Sequence, residues 1–317
     1  MEHWPEVAFQ EAQQLNANEI FPIVILSYKR YDLNKECVSI KHAIETPNVK
    51  CYLFVYDFDF ENYKPLIEGH NNIIPVMVTG GKGITYKRHF VINWMQEHHI
   101  DRFFMMDDDI ENFYWIKSKG QGKSQKVGCT FEEFLKLFTY MVKRHETNQE
   151  IGLGSIMLEM SCPWIDFSTG VEAKAYGCPY QIAYINAKLL YENNINYDLS
   201  TNTWEDQDVF LQCIDKGVRT TRFINLTYYS KPMNPSKTVA SVGDKKWTTN
   251  SMHLYAKWGK VISFKPKKEQ VTTRIKSSIL KYIKDGRLER IYESEYMKYI
   301  ENNDILGFEE YINKKYK

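Results

Sequence analysis

The sequence predicts an α/β protein built on a mostly parallel sheet, in the style of nucleotide-binding domains. Three observations carry that prediction. Short apolar, β-rich runs alternate with segments of helical periodicity, the first runs are apolar enough to be buried on both faces, and one of them ends on the acidic triplet Asp107-Asp108-Asp109. Strands alternating with helices imply βαβ units and a largely parallel sheet with covered faces.

The first run, Phe21 to Ser27, is bounded by turn formers and reads as a buried strand, followed by a helix over 33–45. A second strand covers Cys51–Tyr56 and stops at Asp57; a third, Ile73–Val78, enters the glycine turn Gly80-Gly81-Lys82-Gly83. From Ile84 to His98, Phe90, Val91, Trp94 and Met95 recur at helical spacing, and a fourth strand, Arg102–Met106, leads into the triplet. The stretch Lys117–Lys126 has no apolar residue and reads as a loop. Its GQGKS lacks the full G-x-x-x-x-G-K-[ST] spacing, which excludes a P-loop ATPase. Further on, 130–147 reads as a helix, 151–160 as a strand, 179–195 as a strand and helix, and 203–216 as a helix opened by acidic groups at its positive end. A strand runs through Ile224, and 270–315 has helical spacing. The expected organisation is an N-terminal extension (1–19), a catalytic domain (20–262) and a C-terminal helical segment (263–317).

A chain of 317 residues, 43% hydrophobic and 26% charged, supports a sizeable core. Its 22 tyrosines and 17 phenylalanines supply rings that pack on one side and stay wet on the other, as sugars and bases require. No run reaches the ~20 apolar residues of a membrane span, and the acidic, polar amino terminus is unlike a secretory signal, so a cytoplasmic location is expected. Six scattered cysteines without a C-x-x-C pair give neither a zinc knuckle nor a redox motif. The net charge of +1 conceals an asymmetry: from Lys245 onward 17 Lys/Arg face 9 Asp/Glu, leaving 24 against 31 for residues 1–244. Such a basic tail suits an anionic partner such as nucleic acid, and equally a solvated helical surface.

The triplet is the centre of the chemistry. Open parallel sheets bind ligands at their carboxyl strand ends. Clustered carboxylates repel unless a cation joins them, and hard oxygen ligands favour Mg²⁺ or Mn²⁺. Alternation along an extended chain puts Asp107 and Asp109 on one side and Asp108 elsewhere. Acidic pairs are common at turns, so the context decides. The glycine turn opens a helix carrying cations, where backbone N–H groups with Lys82 and Arg88 suit a diphosphate. Ser27-Tyr28-Lys29-Arg30 follows the first strand with a hydroxyl, a ring and cations for a nucleotide. Trp204-Glu205-Asp206 offers a carboxylate, Asp206 or Glu205, to take a proton from an acceptor, beside a ring for a sugar face. His253 is a candidate third metal ligand, with a structural histidine as the bland alternative, and Lys257 a balance for phosphate charge.

The ordered motifs SYKR (27–30), GGKGITYKR (80–88), FFMMDDDI (103–110) and WEDQDVFLQCIDKG (204–217) resemble GT-A glycosyltransferases across 20–262. More narrowly, GITYKRHFVINW, MMDDDI and WEDQD look like the TET-associated glycosyltransferases of bacteriophages. The resemblance implies a GT-A fold: a Rossmann-like, mostly parallel sheet flanked by helices. It implies transfer from a nucleoside diphosphate sugar, such as a UDP-sugar, to oxidised pyrimidines such as 5-hydroxymethylcytosine in DNA. It makes Asp107 and Asp109 the metal and sugar-diphosphate site, with Asp108 alongside, and Asp206 the base with Glu205 beside it, by similarity to inverting enzymes. Ser27, Tyr28, Arg30 and Asp57 fall to the nucleotide, Lys82 and Arg88 to the donor, and Gly177–Gln181, with Tyr180, Gln181 and Trp204, to the acceptor. Two rival readings stay open: transfer to a cell-surface glycan or lipopolysaccharide precursor, and a noncatalytic binding module of GT-A shape.

Overall fold

The structure, a computed structural model, describes residues 4–120, 123–158, 172–201, 204–230, 244–267, 270–275, 293–302 and 304–315. In chain order the elements are α1 (Trp4–Ala12), β1 (Ile23–Leu26), α2 (Val38–Ile44), β2 (Cys51–Tyr56), α3 (Phe60–Ile67), β3 (Ile73–Val78), α4 (Ile84–Glu97) and β4 (Arg102–Asp107). There follow β5 (Ile110–Gly120), β6 (Lys123–Cys129), α5 (Phe131–His145), β7 (Leu153–Leu158), β8 (Ala173–Ala175), β9 (Ile182–Asn186), α6 (Ala187–Glu192), α7 (Glu205–Asp215), β10 (Thr220–Ser230) and α8 (Asp244–Trp258). The last described elements are β11 (Ile262–Lys267), β12 (Gln270–Ile275), α9 (Glu293–Glu301) and α10 (Ile305–Lys315).

One ten-stranded sheet has the order β3-β2-β1-β4-β9-β7-β10-β5-β6, with β8 beside β10. The β3-β2-β1-β4 half is wholly parallel, and β7 and β10 run the same way. Only β5, β8 and β9 are reversed, so the α/β reading with a mostly parallel sheet holds.

The apolar runs arise because both faces of the sheet are covered. Alternate residues feed opposite cores. Ile23, Ile25, Leu53, Val55, Phe104 and Met106 pack beneath α2 and α5, against side chains such as Ile40 and Phe138. Val24, Leu26, Phe54, Phe103 and Met105 pack beneath α4 and α6, against Val91 and Leu190. The α5 start is fixed by a capping box in which Thr130 Oγ1 accepts from Glu133 N (3.2 Å) and Glu133 Oε2 from Thr130 N (2.7 Å).

Two sequence expectations are corrected. The described part of Lys117–Lys126 is not a loop: β5 and β6 pair antiparallel from Phe113↔Cys129 out to Gly120↔Lys123. Polar composition concealed it, because this ribbon lies at a sheet edge and has no core face to fill. Gln270–Ile275, expected within a helical stretch, is a strand paired with β11, as its β-branched Val271-Thr272-Thr273 favours. The chain beyond residue 262 also braces the site. Phe308 and Ile312 of α10 share a core with Met252 and Trp258 of α8 and with Phe210, Leu211 and Ile214 on α7, the helix that carries Glu205 and Asp206. Among the described residues no helix is long and apolar enough to cross a membrane.

Candidate active site

β1, β2 and β4 end side by side, Leu26 pairing with both Phe54 and Asp107, and the sequence motifs meet at this edge. The strand conformation stops at Asp107, and Asp108 and Asp109 form a turn. Ser39 at the start of α2 clamps that turn: its Oγ donates to Asp107 O (2.7 Å) and accepts from Ile110 N (3.1 Å), while its N–H donates to Asp108 O (3.0 Å).

The three carboxylates diverge. Asp108 turns inward, taking hydrogen bonds from Ser27 Oγ and Arg30 Nη1. Ser27 also meets Tyr63 Oη at 2.8 Å, so Ser27, Arg30 and Asp108 form an internal strut beneath the edge. Burial pushes Asp108 up to about 6, against the pull of Arg30 and Ser27. Asp109 lies beside Gln181, whose Nε2 donates at 3.5 Å, and its Oδ2 is buried without a hydrogen bond, 3.8 Å from Arg30 Nη1. Burial, then Asp107 and Asp108, raise it to about 7. Asp107 faces Arg88, whose Nη2 approaches to 3.2 Å.

Arg88 joins this edge to α7. Its Nη1 donates to Glu205 Oε1 at 3.0 Å and to Asp206 Oδ1, and its side chain is only 4% exposed. Trp204 caps α7 from the left-handed region (φ +67°) and anchors its indole on Ser251 Oγ at 2.9 Å, which turns Glu205 and Asp206 toward Arg88. Burial pushes Asp206 up to about 8 and Glu205 in the same direction. Burial opposes the Arg88 charge, but Asp206, Asp107 and Glu205 outweigh it and hold the guanidinium well above its ordinary range. Both trends have one origin: Glu205 and Asp206 are desolvated beside a guanidinium that they share with Asp107.

On the other flank, Tyr28 meets Tyr56 edge-on (5.6 Å), Phe58 stacks on Tyr56 (5.2 Å), and Lys82 Nζ lies 5.5 Å over Phe58. Asp57 is exposed at the end of β2. Beneath them is Lys87, 2% exposed, whose Nζ donates to Ser27 O (2.5 Å) and lies 4.2 Å over the Tyr56 ring. Burial lowers it to about 7.

The TET-Associated Glycosyltransferase family model matches residues 21–238, more than half of the chain and all of the motifs above. The chain belongs to that family. The strand ends just described lie within the matched residues. Curated proteins give no sequence match. Among solved structures the chain is similar to S. aureus TarS 1-349 in complex with UDP-GlcNAc, at 14% identity and a TM-score of 0.47, over 75% of this chain and 65% of that one. It thus spans 65% of the length of that TarS fragment. Glucosyl-3-phosphoglycerate synthase from Mycobacterium tuberculosis, in complex with Mg²⁺ and UDP, is similar at 11% identity and a TM-score of 0.43, over 84% and 91% of the two chains.

The chain gathers Asp107, Asp109, Arg88, Glu205, Asp206 and Gln181 at one edge, with Tyr180 exposed next to the buried Cys178, whose Sγ lies 3.6 Å from Asp206 O. Two candidates have partners elsewhere in the fold. His253 Nδ1 meets Tyr296 Oη of α9 at 3.2 Å, and among the described residues no three His, Cys, Asp or Glu side chains form a metal-holding group. Lys257 is held by Asp198 (2.6 Å) and Asp208 (2.8 Å), committed to bracing α7 rather than facing a phosphate. Both lie on α8, where helical periodicity alone gives no direction. The orphaned Asp109 oxygen beside Asp107 still fits a hard divalent ion that keeps water and substrate oxygens as further ligands. Sequence reasoning missed Lys87, Ser39, Tyr56 and Phe58; only the cation doublet Lys87-Arg88 at a helix start signalled any of them. A cavity of about 680 Å³ at the base of β5 and β6, lined by His42, Phe113 and Phe131 among others, includes none of the predicted site residues.

Proposed function

We propose that the protein transfers a sugar from a nucleoside diphosphate sugar, a UDP-sugar, to the hydroxyl of a 5-hydroxymethylated pyrimidine in DNA, with divalent metal and inversion at the anomeric carbon. One observation carries this reading: Arg88 bridges Asp107, a metal carboxylate, to Asp206, the base, so the leaving-group and acceptor machinery meet across one guanidinium. The motif resemblance carried by GITYKRHFVINW, MMDDDI and WEDQD supports DNA as the acceptor, and a DNA acceptor implies a cytoplasmic enzyme.

Asp107 and Asp109 would hold Mn²⁺ or Mg²⁺. Such an ion, when bound, offsets the negative charge that builds on the departing diphosphate. Tyr28, Asp57 and Lys82 line the nucleotide side; Tyr180, Gln181 and Trp204 line the acceptor side. Arg88 occupies Oδ1 of Asp206, which leaves Oδ2 to accept the proton of the acceptor hydroxyl. The acceptor oxygen bonds to the anomeric carbon as the bond from that carbon to the diphosphate oxygen breaks on the opposite face. Glu205 keeps Arg88 in place. Duplex DNA would present the base extruded or through the major groove.

The test is transfer from radiolabelled UDP-sugars with Mn²⁺ to hydroxymethylcytosine-containing DNA and, in parallel, to saccharide acceptors. Label in DNA that is lost in Asp206→Asn while donor binding persists is the expected result. Label only in saccharides overturns the acceptor, and near-normal turnover by Asp206→Asn overturns the base.

A further inference from the structure

The acceptor side holds a cation that the steps above leave unused. Arg30, Arg88, Arg102, Arg144 and Arg219 each donate to a carboxylate or a carbonyl. Arg222 of β10 does not, among the described residues: it is half-buried, and its Nε is buried without a hydrogen bond. A charge taken out of water ordinarily finds a partner, and here the fold supplies none. Edge protection does not account for it, because β7 and β8 flank β10 at this residue.

A second cation stands beside it. In the antiparallel β8–β10 pair Arg222 is directly opposite Lys174, and residues so opposed project from the same face of a sheet. Lys174 is exposed and, among the described residues, has no carboxylate at ion-pair distance. Like charges set opposite each other destabilise a sheet unless an anion joins them. Glu172, the nearest acid along β8, is not that anion, since Arg144 (2.9 Å) and His145 (3.3 Å) hold it.

One loop ties the pair to the acid edge. Gly177 lies so close to Arg222 that a Cβ there would stand 2.6 Å from Arg222 Cβ and 2.2 Å from Ser155 Oγ, so only glycine fits. Cys178 follows, with its Sγ 3.6 Å from Asp206 O; then come the exposed Tyr180 and Gln181 beside Asp109. Partial burial and the Cys178 thiol raise the Tyr180 phenol, Arg222 draws it down and Asp206 pushes it up, so that ring stands within range of both charges. The sheet register fixes the separation. Arg222 shares a row with Ser155, Ala183 and Met105, three strands across from β4, ~14 Å at about 4.8 Å per gap.

We propose that Arg222 and Lys174 bind a backbone phosphate of the DNA strand that carries the acceptor base, about four nucleotides from that base at about 3.4 Å per step. A guanidinium and an ammonium side by side match the oxygens of a phosphate, and the phosphate relieves the repulsion between them. This rests on DNA as the acceptor.

The test is fluorescence anisotropy of the full chain, titrated with salt, on a duplex of about 24 base pairs with one central 5-hydroxymethylcytosine, beside steady-state transfer to the same DNA. Wild type is compared with Lys174→Gln, Arg222→Gln/Lys174→Gln, Arg222→Lys, and Lys188→Gln/Lys216→Gln, an equal charge change at exposed sites elsewhere. The Arg222→Gln/Lys174→Gln variant should bind about tenfold more weakly near 0.1 M salt, with the salt slope reduced by about two; Lys174→Gln alone should reduce it by about one. The KM for DNA should rise about tenfold while kcat and the donor KM hold. Arg222→Lys should keep the salt slope. Without DNA the double variant should melt no lower than wild type, because its like-charged pair is gone; if it does melt lower, the exposed Lys174→Gln change decides alone. An unchanged salt slope, an equal loss in the control pair, or a fall in kcat at unchanged KM overturns the proposal. So does a larger loss on poly(glycerol phosphate) than on DNA. Transfer to DNA with a KM indifferent to both residues sinks the pair and keeps the acceptor; pair-dependent DNA binding without transfer sinks the acceptor and keeps the pair.

Discussion

The two flanks of the acid triplet are built in opposite ways. On the β1–β2 flank, Lys87 and Lys82 lie against the rings of Tyr56 and Phe58, and among the described residues neither cation has a carboxylate at ion-pair distance. On the α7 flank, Asp107, Glu205 and Asp206 crowd around Arg88 alone. One flank packs its cations on rings. The other sets three carboxylates against one guanidinium. Adjacent residues of one helix, Lys87 and Arg88, serve the two sides, so α4 sets the polarity of the site.

The largest effect should come from removing the cation on the acidic flank. Arg88→Met leaves the buried Glu205 and the half-buried Asp107 and Asp206 without their shared cation, and losing one partner of a buried ionic cluster costs about 3–5 kcal/mol. Urea denaturation should show this loss and assays should show no turnover. Arg88→Lys keeps the charge but not the fork that spans two elements, and should recover most of the stability while kcat stays about a hundredfold down. Equal activity in Arg88→Lys and wild type would break the claim that the fork aligns metal carboxylate and base.

The pH response sharpens the same point. Asp206 must be ionised to act as a base, and burial holds it up at about 8. Activity should therefore climb about tenfold per pH unit below that value and level off above it. Glu205 raises Asp206 by like charge, so Glu205→Gln should move the rising limb to lower pH. A limb that stays in place, or moves upward, means that another group titrates.

How much of this was legible in the sequence follows the same division. The apolar runs gave β1–β4 nearly to the residue, most plainly in β1, β2 and β4, which are buried on both faces, and the acids at the ends of β2 and β4 marked the edge. Asp107 and Asp206 stood out because a carboxylate at a strand end or helix start is a local signal. What Arg88 does was not legible: the sequence placed it on a donor phosphate, and only the three-dimensional approach of α7 commits it to Glu205 and Asp206. The partners of His253 and Lys257 were hidden for the same reason, since Tyr296, Asp198 and Asp208 are 43, 59 and 49 residues away. The β5–β6 ribbon was read as a loop because an edge ribbon lacks the one-sided apolar pattern that betrays other strands.

Lys87 is the smallest change and the cleanest probe of the basic flank. Its ordinary value of 10.5 falls to about 7 because the ammonium is buried with a carbonyl and two rings for company. A lysine whose value is lowered on folding adds stability that is complete above its unfolded value and drains away as pH falls through the folded one. Lys87→Met has no such loss. Without ligand the variant should match or trail wild type near pH 10.5 and gain on it steadily down to about 7 in thermal-shift measurements. With a nucleoside diphosphate the order should reverse, because the anion supplies the partner that the protonated amine lacks: the donor KM of Lys87→Met should rise about tenfold while kcat changes little. If the variant binds nucleoside diphosphates as tightly as wild type, the buried cation is a structural residue and the two flanks differ in charge without differing in purpose.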